Sequence, residues 1–208
     1  MTELVPGGNT PLPDGALAFR VPGPFDVSAL ITDDSGRVRG DGDFVFFNQP
    51  AAPGVRLDGG RLTVDPPRLR SGASRVTVVV SPTDLTTPLG GLPSPTIQVT
   101  SADGRVLARF TPPRPQRETV LLLAELYRRG TAWKLRALGQ GYADGLAGVA
   151  RDFGVDVTED TAPSGGAAAN TTPHGERGGR PLTAQRVPSP GPSPGPAFAR
   201  GSAPGTRR

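Results

Sequence analysis

The sequence predicts a mainly β protein: a β-sandwich closed by one C-terminal helix and followed by a disordered tail. Three observations carry this. Short apolar stretches recur between clusters of Gly, Pro and Asp, the pattern of strands separated by turns. Ser101-Ala102-Asp103-Gly104-Arg105 lies between two of these stretches, and Asp-Gly between alternating runs is the strongest short-range hairpin signal. Late in the chain, Leu146, Val149, Ala150 and Phe153 recur at the spacing that lines one face of a helix.

Taken in order, residues 16–21, 27–32, 44–48, 61–65 and 76–81 read as strands bounded by turn residues. Residues 96–100 and 106–110 flank the Asp-Gly turn, and 29–32 followed by Asp34-Ser35-Gly36-Arg37 and Val38 is a weaker echo of the same unit. Residues 118–140 are rich in Leu, Ala and Glu, so periodicity alone allows helix or strand. The turn Arg129-Gly130-Thr131-Ala132 and the alternation of Trp133, Leu135 and Ala137 favour a long hairpin. The helix is expected over 143–153, with Gly154 placed to cap it. The intervening stretch 139–146, which opens Gly139-Gln140-Gly141, reads as a strand-to-helix turn whose glycines permit close packing. An anion at the helix N-terminus is the other reading of that turn.

Composition divides the chain in two. Gly and Pro together make up 54 of the 208 residues, and the whole chain carries +4 with a pI near 10.5, which by itself suggests nucleic acid. Residues 161–208, however, contain six Arg and one acid, a balance of +5, while residues 1–160 carry −1. Residues 161–208 also hold nine Pro and nine Gly, including the doublet Ser189-Pro190-Gly191-Pro192 and Ser193-Pro194-Gly195-Pro196, and have too little apolar content to offset the entropy of ordering. The expected organisation is therefore a folded domain over 1–160 and a solvated tail over 161–208. Phe44, Phe46, Phe47, Tyr127, Trp133 and Tyr142 are expected in the core rather than on a base-stacking surface, because the domain around them is slightly acidic. No specific nucleic-acid binding is expected. The N-terminus lacks the basic and apolar regions of a secretory signal and no apolar run approaches the ~20 residues of a spanning helix, so a cytoplasmic location without a membrane span is expected.

The absence of Cys excludes disulfides, zinc–thiolate sites and a cysteine nucleophile. The single His is His174, in the tail, and a triad needs fixed geometry. Lys134 is the only lysine, and no Gly-Lys-Ser/Thr phosphate loop occurs. These facts argue against an enzyme. The one chemical concentration is acidic: Asp26, Asp33, Asp34, Asp41 and Asp43 fall within eighteen residues. Carboxylate and carbonyl oxygens are what a hard cation such as calcium takes, six to eight at a time. The EF-hand spacing is absent, and the competing reading is that Asp-Gly pairs simply make turns.

Several segments together resemble the TerD family, named for tellurium resistance. They are the opening LVPGGNTPLP of residues 4–13, Asp26-Val27-Ser28-Ala29-Leu30, Gly36-Arg37-Val38, and Asp43-Phe44-Val45-Phe46-Phe47-Asn48-Gln49. The C-terminal blocks are more specific: Glu118-Thr119, Glu125-Leu126-Tyr127-Arg128-Arg129, Trp133-Lys134, and Gly139-Gln140-Gly141-Tyr142 through Asp152-Phe153-Gly154-Val155. The resemblance implies a β-sandwich, strands over 118–140, and a non-enzymatic stress-response protein that binds calcium at acidic loops. It carries Asp26, Asp41, Asp43 and Asn48 over as ligand candidates. This sequence departs from the family where an acidic loop is expected: residues 54–65 hold two arginines, with Asp58 the one ligand candidate, and Pro24 replaces a paired Asp. Calcium affinity is therefore expected to be weak or lost. An interaction scaffold that docks other stress-response proteins without metal is the alternative, and the oligomeric state is left open.

Overall fold

The run Arg75–Pro82 shows why this chain makes layers. Val76, Val78 and Val80 are buried on one side of the strand, while Val79 is buried on the other. A strand apolar on both faces belongs in the middle of a sheet that is covered twice. The structure, a computed structural model, describes residues 1–154. The expected tail over 161–208 and its boundary with the domain lie outside the described residues.

The described residues form thirteen strands and one α-helix: β1 (Thr2–Leu4), β2 (Asn9–Pro11), β3 (Leu17–Arg20), β4 (Phe25–Thr32), β5 (Phe44–Val45), β6 (Ala51–Ala52), β7 (Val55–Asp58), β8 (Arg61–Val64), β9 (Arg75–Pro82), β10 (Ile97–Ser101), β11 (Val106–Phe110), β12 (Val120–Arg129), β13 (Ala132–Tyr142) and α1 (Leu146–Phe153). One sheet has the order β1-β11-β10-β3-β8-β7-β6 and the other β2-β13-β12-β9-β4-β5. Consecutive strands occupy matching edges of the two sheets, β1 with β2 on one side and β5 with β6 on the other, so the chain crosses between layers at both edges. The main core between the sheets includes Leu17, Phe19, Ile31, Leu62, Val78, Ile97, Phe110 and Leu123. A second, smaller core of Leu30, Val79, Val120, Leu122 and Val149 lies where α1 covers the outer face of the six-stranded sheet.

The predicted sandwich with a C-terminal helix is thus the observed fold, and residues 118–140 form the long hairpin β12–β13. The register shift between Leu122 and Ala124 explains why that segment does not alternate cleanly. Leu121 and Leu123 face the main core before the bulge, and Ala124 and Leu126 face it after. Glu125 is thereby turned outward, where Arg75 (3.1 Å) and Arg136 (3.7 Å) flank its carboxylate and Arg136 lies over the Tyr127 ring.

The Asp-Gly turn joins β10 and β11 as expected, closed by bonds from Ser101 N–H to the Arg105 carbonyl and from Gly104 N–H to the Ser101 carbonyl. Its echo has the same geometry, Asp33 N–H to the Arg37 carbonyl and Gly36 N–H to the Asp33 carbonyl, but no strand follows it.

Four expectations need correction. The strand expected over 44–48 ends at Val45, because Phe46 and Gln49 bond each other's backbone reciprocally at 3.0 Å and turn the chain. Gly139 and Gly141 belong to β13, not to a turn, and the helix starts at Leu146 rather than at 143. The expected aromatic core is formed in part: Trp133 packs against the main core and Phe44 and Tyr142 against the smaller one, but Phe47 is 73% exposed, and the buried rings are Phe19, Phe25 and Phe110. Strands β1, β2 and β6 are too short to leave a pattern in the sequence, and the four-residue alternation Val55-Arg56-Leu57-Asp58 of β7 forms a strand that was not among those expected.

The helix is held at its C-terminal end. Gly154 takes the left-handed conformation at its C-terminus (φ 72°, ψ 36°), and Val38 N–H donates to the Phe153 carbonyl at 3.1 Å. Tyr142 Oη donates to the Asp152 carboxylate at 2.6 Å and accepts from Gln140 at 2.9 Å. Burial, reinforced by the Asp152 carboxylate, pushes the Tyr142 phenol up to about 12. A phenol raised in the folded state contributes stability that is fully present below its unfolded pKa near 10 and is lost as the pH rises from about 10 to 12. In an absorbance titration of the native protein, one late tyrosinate phase near pH 12 should disappear in Tyr142→Phe. A native titration unchanged by that substitution would refute the assignment.

Candidate functional site

The loop that carries four of the five clustered aspartates, Asp33, Asp34, Asp41 and Asp43, meets a second loop at one end of the sandwich. Strand β4 ends at Thr32, and the chain then makes the Asp33–Arg37 turn, a short 3-10 turn at Asp41–Asp43, and β5. A second connection runs from β8 in one sheet to β9 in the other, through a 3-10 turn at Pro66–Arg68 and then Leu69, Arg70, Ser71 and Gly72. Arg70 reaches from this crossing loop to Asp43. Its Nε donates to Asp43 Oδ1 and its Nη2 to Asp43 Oδ2, both at 2.6 Å, the two-pronged geometry that makes an Arg–carboxylate pair strong. The Arg39 backbone N–H adds a third bond, to Oδ2 at 2.7 Å.

Both members of this pair are largely withdrawn from water, with side-chain exposures of 12% for Arg70 and 7% for Asp43. The bond to Asp43 drives the Arg70 guanidinium above its usual range. The Ser71 carbonyl accepts from Arg39 Nη2 at 3.0 Å and from Arg70 Nη1 at 3.4 Å. Asp33 adds a further negative charge toward Arg70, and its own carboxyl is held below the ordinary range mainly by the Ser35 hydroxyl at 2.5 Å. One ion pair, Arg70 with Asp43, therefore joins the two loops, and the Arg39 guanidinium reinforces it through the Ser71 carbonyl.

The five candidate ligands do not converge. Asp43 alone is buried in the cluster just described. Asp41 is exposed, and its backbone carbonyl accepts from the Gln49 side chain, which also bonds the Phe44 carbonyl. Asn48 is exposed in the Phe46–Gln49 turn. Asp26 is exposed at the far end of β4, with Thr83 Oγ1 at 3.5 Å. It precedes Leu30, the residue paired with Phe44, by four positions, or about 13 Å along a strand. Asp58 sits at the tip of the β7–β8 hairpin in the other sheet, opposite Arg61. Among the described residues, no group of three or more His, Cys, Asp or Glu side chains is placed to hold a metal ion.

Calcium, which the resemblance implies, takes six to eight oxygens. Both oxygens of the one buried candidate already accept protein donors, Asp41 on the same turn is exposed, and the other candidates lie on separate elements, so the residues present do not fit that ion. Sequence reasoning missed Arg70, Arg39 and the involvement of Asp33. Arg70 is 27 residues from Asp43, and nothing local in either segment signals the pairing.

Comparison with known proteins places these loops in a wider group. A family profile described as TerD domain matches residues 21–153. Over 152 residues the chain is 29% identical to the tellurium resistance protein TerD of Serratia marcescens and 30% identical to that of Alcaligenes sp, with 64% of this chain and 79% of each relative covered. Among solved structures, the unknown function protein SAV2460 superposes with a TM-score of 0.50 at 19% identity, covering 66% of this chain and 95% of that one, which is a likeness of fold. Among the described residues no helix is long and apolar enough to cross a membrane.

Proposed function

Because this chain belongs to the TerD domain family, a family of tellurium resistance type, we propose that it is a non-enzymatic, cytoplasmic stress-response protein that acts by docking other stress-response proteins, without resident calcium. The observation that supports this reading is the closed fork between Arg70 and Asp43. The one buried carboxylate among the acidic loops is committed to three protein donors, so it is offered neither to a metal nor to a substrate proton. The sequence has no Cys, and its only His is His174. The acidic loops then act as scaffold, and the exposed surface around them, including Asp41, Asn48 and Phe47, is left to recognition.

The test is genetic and biochemical. Deleting the gene should lower tolerance to tellurite, and the tagged full chain should co-purify with a stress-response protein at near-stoichiometric yield. Restoration of tolerance by a variant that recovers no partner would overturn the docking role. Comparing partner recovery between the full chain and a 1–160 truncation separates the domain from the tail.

A further inference from the structure

The surroundings of the Arg70 guanidinium are those of a cation seat. Asp43 presents both carboxylate oxygens at 2.6 Å, the Ser71 carbonyl lies 3.4 Å from Nη1, and Asp33 contributes a further negative charge. Carboxylate and main-chain carbonyl oxygens of this kind are what a hard divalent cation takes. Asp43 is itself 5% exposed, so without the guanidinium its charge would be buried with only the Arg39 N–H as partner.

We propose that Arg70 is the domain's own cation: its guanidinium fills a seat formed by the Asp43 carboxylate and the Ser71 carbonyl, and so makes the fold indifferent to divalent cations. The two loops that meet here come from different sheets, β4–β5 from one and β8–β9 bridging both. A covalently attached charge joins them at every cation concentration, whereas a bound ion would join them only above its dissociation constant. The seat is specific to the guanidinium because two parallel N–H bonds match the two carboxylate oxygens, which an ammonium group cannot reproduce. The proposal concerns conformation and stability. It shares the absence of resident calcium with the functional reading but not the docking role, so a failure to find partners leaves it standing.

Thermal melts of the full chain test it, in EDTA, in 5 mM calcium chloride, and in sodium chloride of matched ionic strength. The wild type should shift by less than about 1 °C between these conditions. Arg70→Met should melt about 10 °C lower in EDTA, the size expected for breaking a buried pair in a domain of this length. Calcium, but not matched sodium chloride, should restore about half of that loss, and Asp43→Asn in the same background should abolish the restoration. Arg70→Lys should remain folded, melt between the two, and ignore calcium. The proposal fails if calcium stabilises the wild type as much as the methionine variant, if Arg70→Met melts like the wild type, or if its loss is unaffected by calcium. Should Arg70→Met not fold in EDTA, recovery of a cooperative melt in calcium supports the seat. Failure in calcium as well, with the lysine variant folded, overturns it.

Discussion

Replacing Gly54 with alanine should destabilise the domain by about 3–5 kcal/mol, although the residue lies on a surface turn and touches none of the candidate ligands. Gly54 sits between β6 and β7 with φ 75°, a left-handed conformation that costs an L-residue about 1–2 kcal/mol. A Cβ there would lie 2.6 Å from the Leu69 nitrogen, 2.7 Å from the Arg68 carbonyl carbon and 2.9 Å from the Asp65 carbonyl oxygen. All three are backbone atoms, so no side chain can rotate out of the way. The Gly54 carbonyl also accepts from Asp65 N–H at 2.7 Å, which ties the turn to the same loop. Relief requires moving residues 65–69 as a unit, and Arg70 is the next residue. The substitution therefore acts on the fork with Asp43 from a distance. Urea denaturation should show a lowered midpoint with an unchanged slope. The loss should be less than additive with Arg70→Met, since the two changes damage one contact. Full additivity would mean that Gly54 supports the fold without positioning Arg70.

The contrast between what the sequence shows and what it conceals follows the range of the interactions. Local chemistry was legible. The Asp103-Gly104 turn, the helix face through Val149 and Ala150, and the capping Gly154 each depend on neighbours within a few residues. Strand β9 could be recognised from its valines, but which of them faces α1 depends on a helix some seventy residues later. The bulge at Leu122 hid the alternation of β12, so composition there suggested helix as much as strand. Five aspartates close in sequence looked like one site, yet an eight-residue strand carries Asp26 to the end opposite Asp43. Phe44-Val45-Phe46-Phe47 looked like a buried strand, but the Gln49 side chain bonds the Asp41 and Phe44 carbonyls and helps turn the chain, leaving Phe47 in solvent. The determinant of the site, a pairing between positions 43 and 70, exists only once two loops from different sheets are brought together.

The other large expected effect lies in the core, at Phe110→Ala, with a loss of about 3–5 kcal/mol. Phe110 is fully buried, pairs with Ile97 on β10 and Leu4 on β1, and directs its ring at the backbone of β13 in the opposite sheet. Contact across the layers is close because the facing residue is Gly139: a Cβ there would lie 3.3 Å from the Phe110 ring and 3.3 Å from Pro112. Truncation removes the ring that fills this space, and a packed sandwich of two sheets relaxes only partly around the cavity. Gly139→Ala alone should also destabilise, through its φ of 72° and through crowding against the ring. In the Phe110→Ala background the crowding against the ring is gone, so Gly139→Ala should then cost less: its backbone term of about 1–2 kcal/mol and the remaining contact with Pro112. A double-mutant cycle measured by urea denaturation reads this coupling directly. An interaction energy near zero would show that Gly139 is held in its conformation by the bend of β13 alone, and that the ring does not determine how closely the two sheets approach.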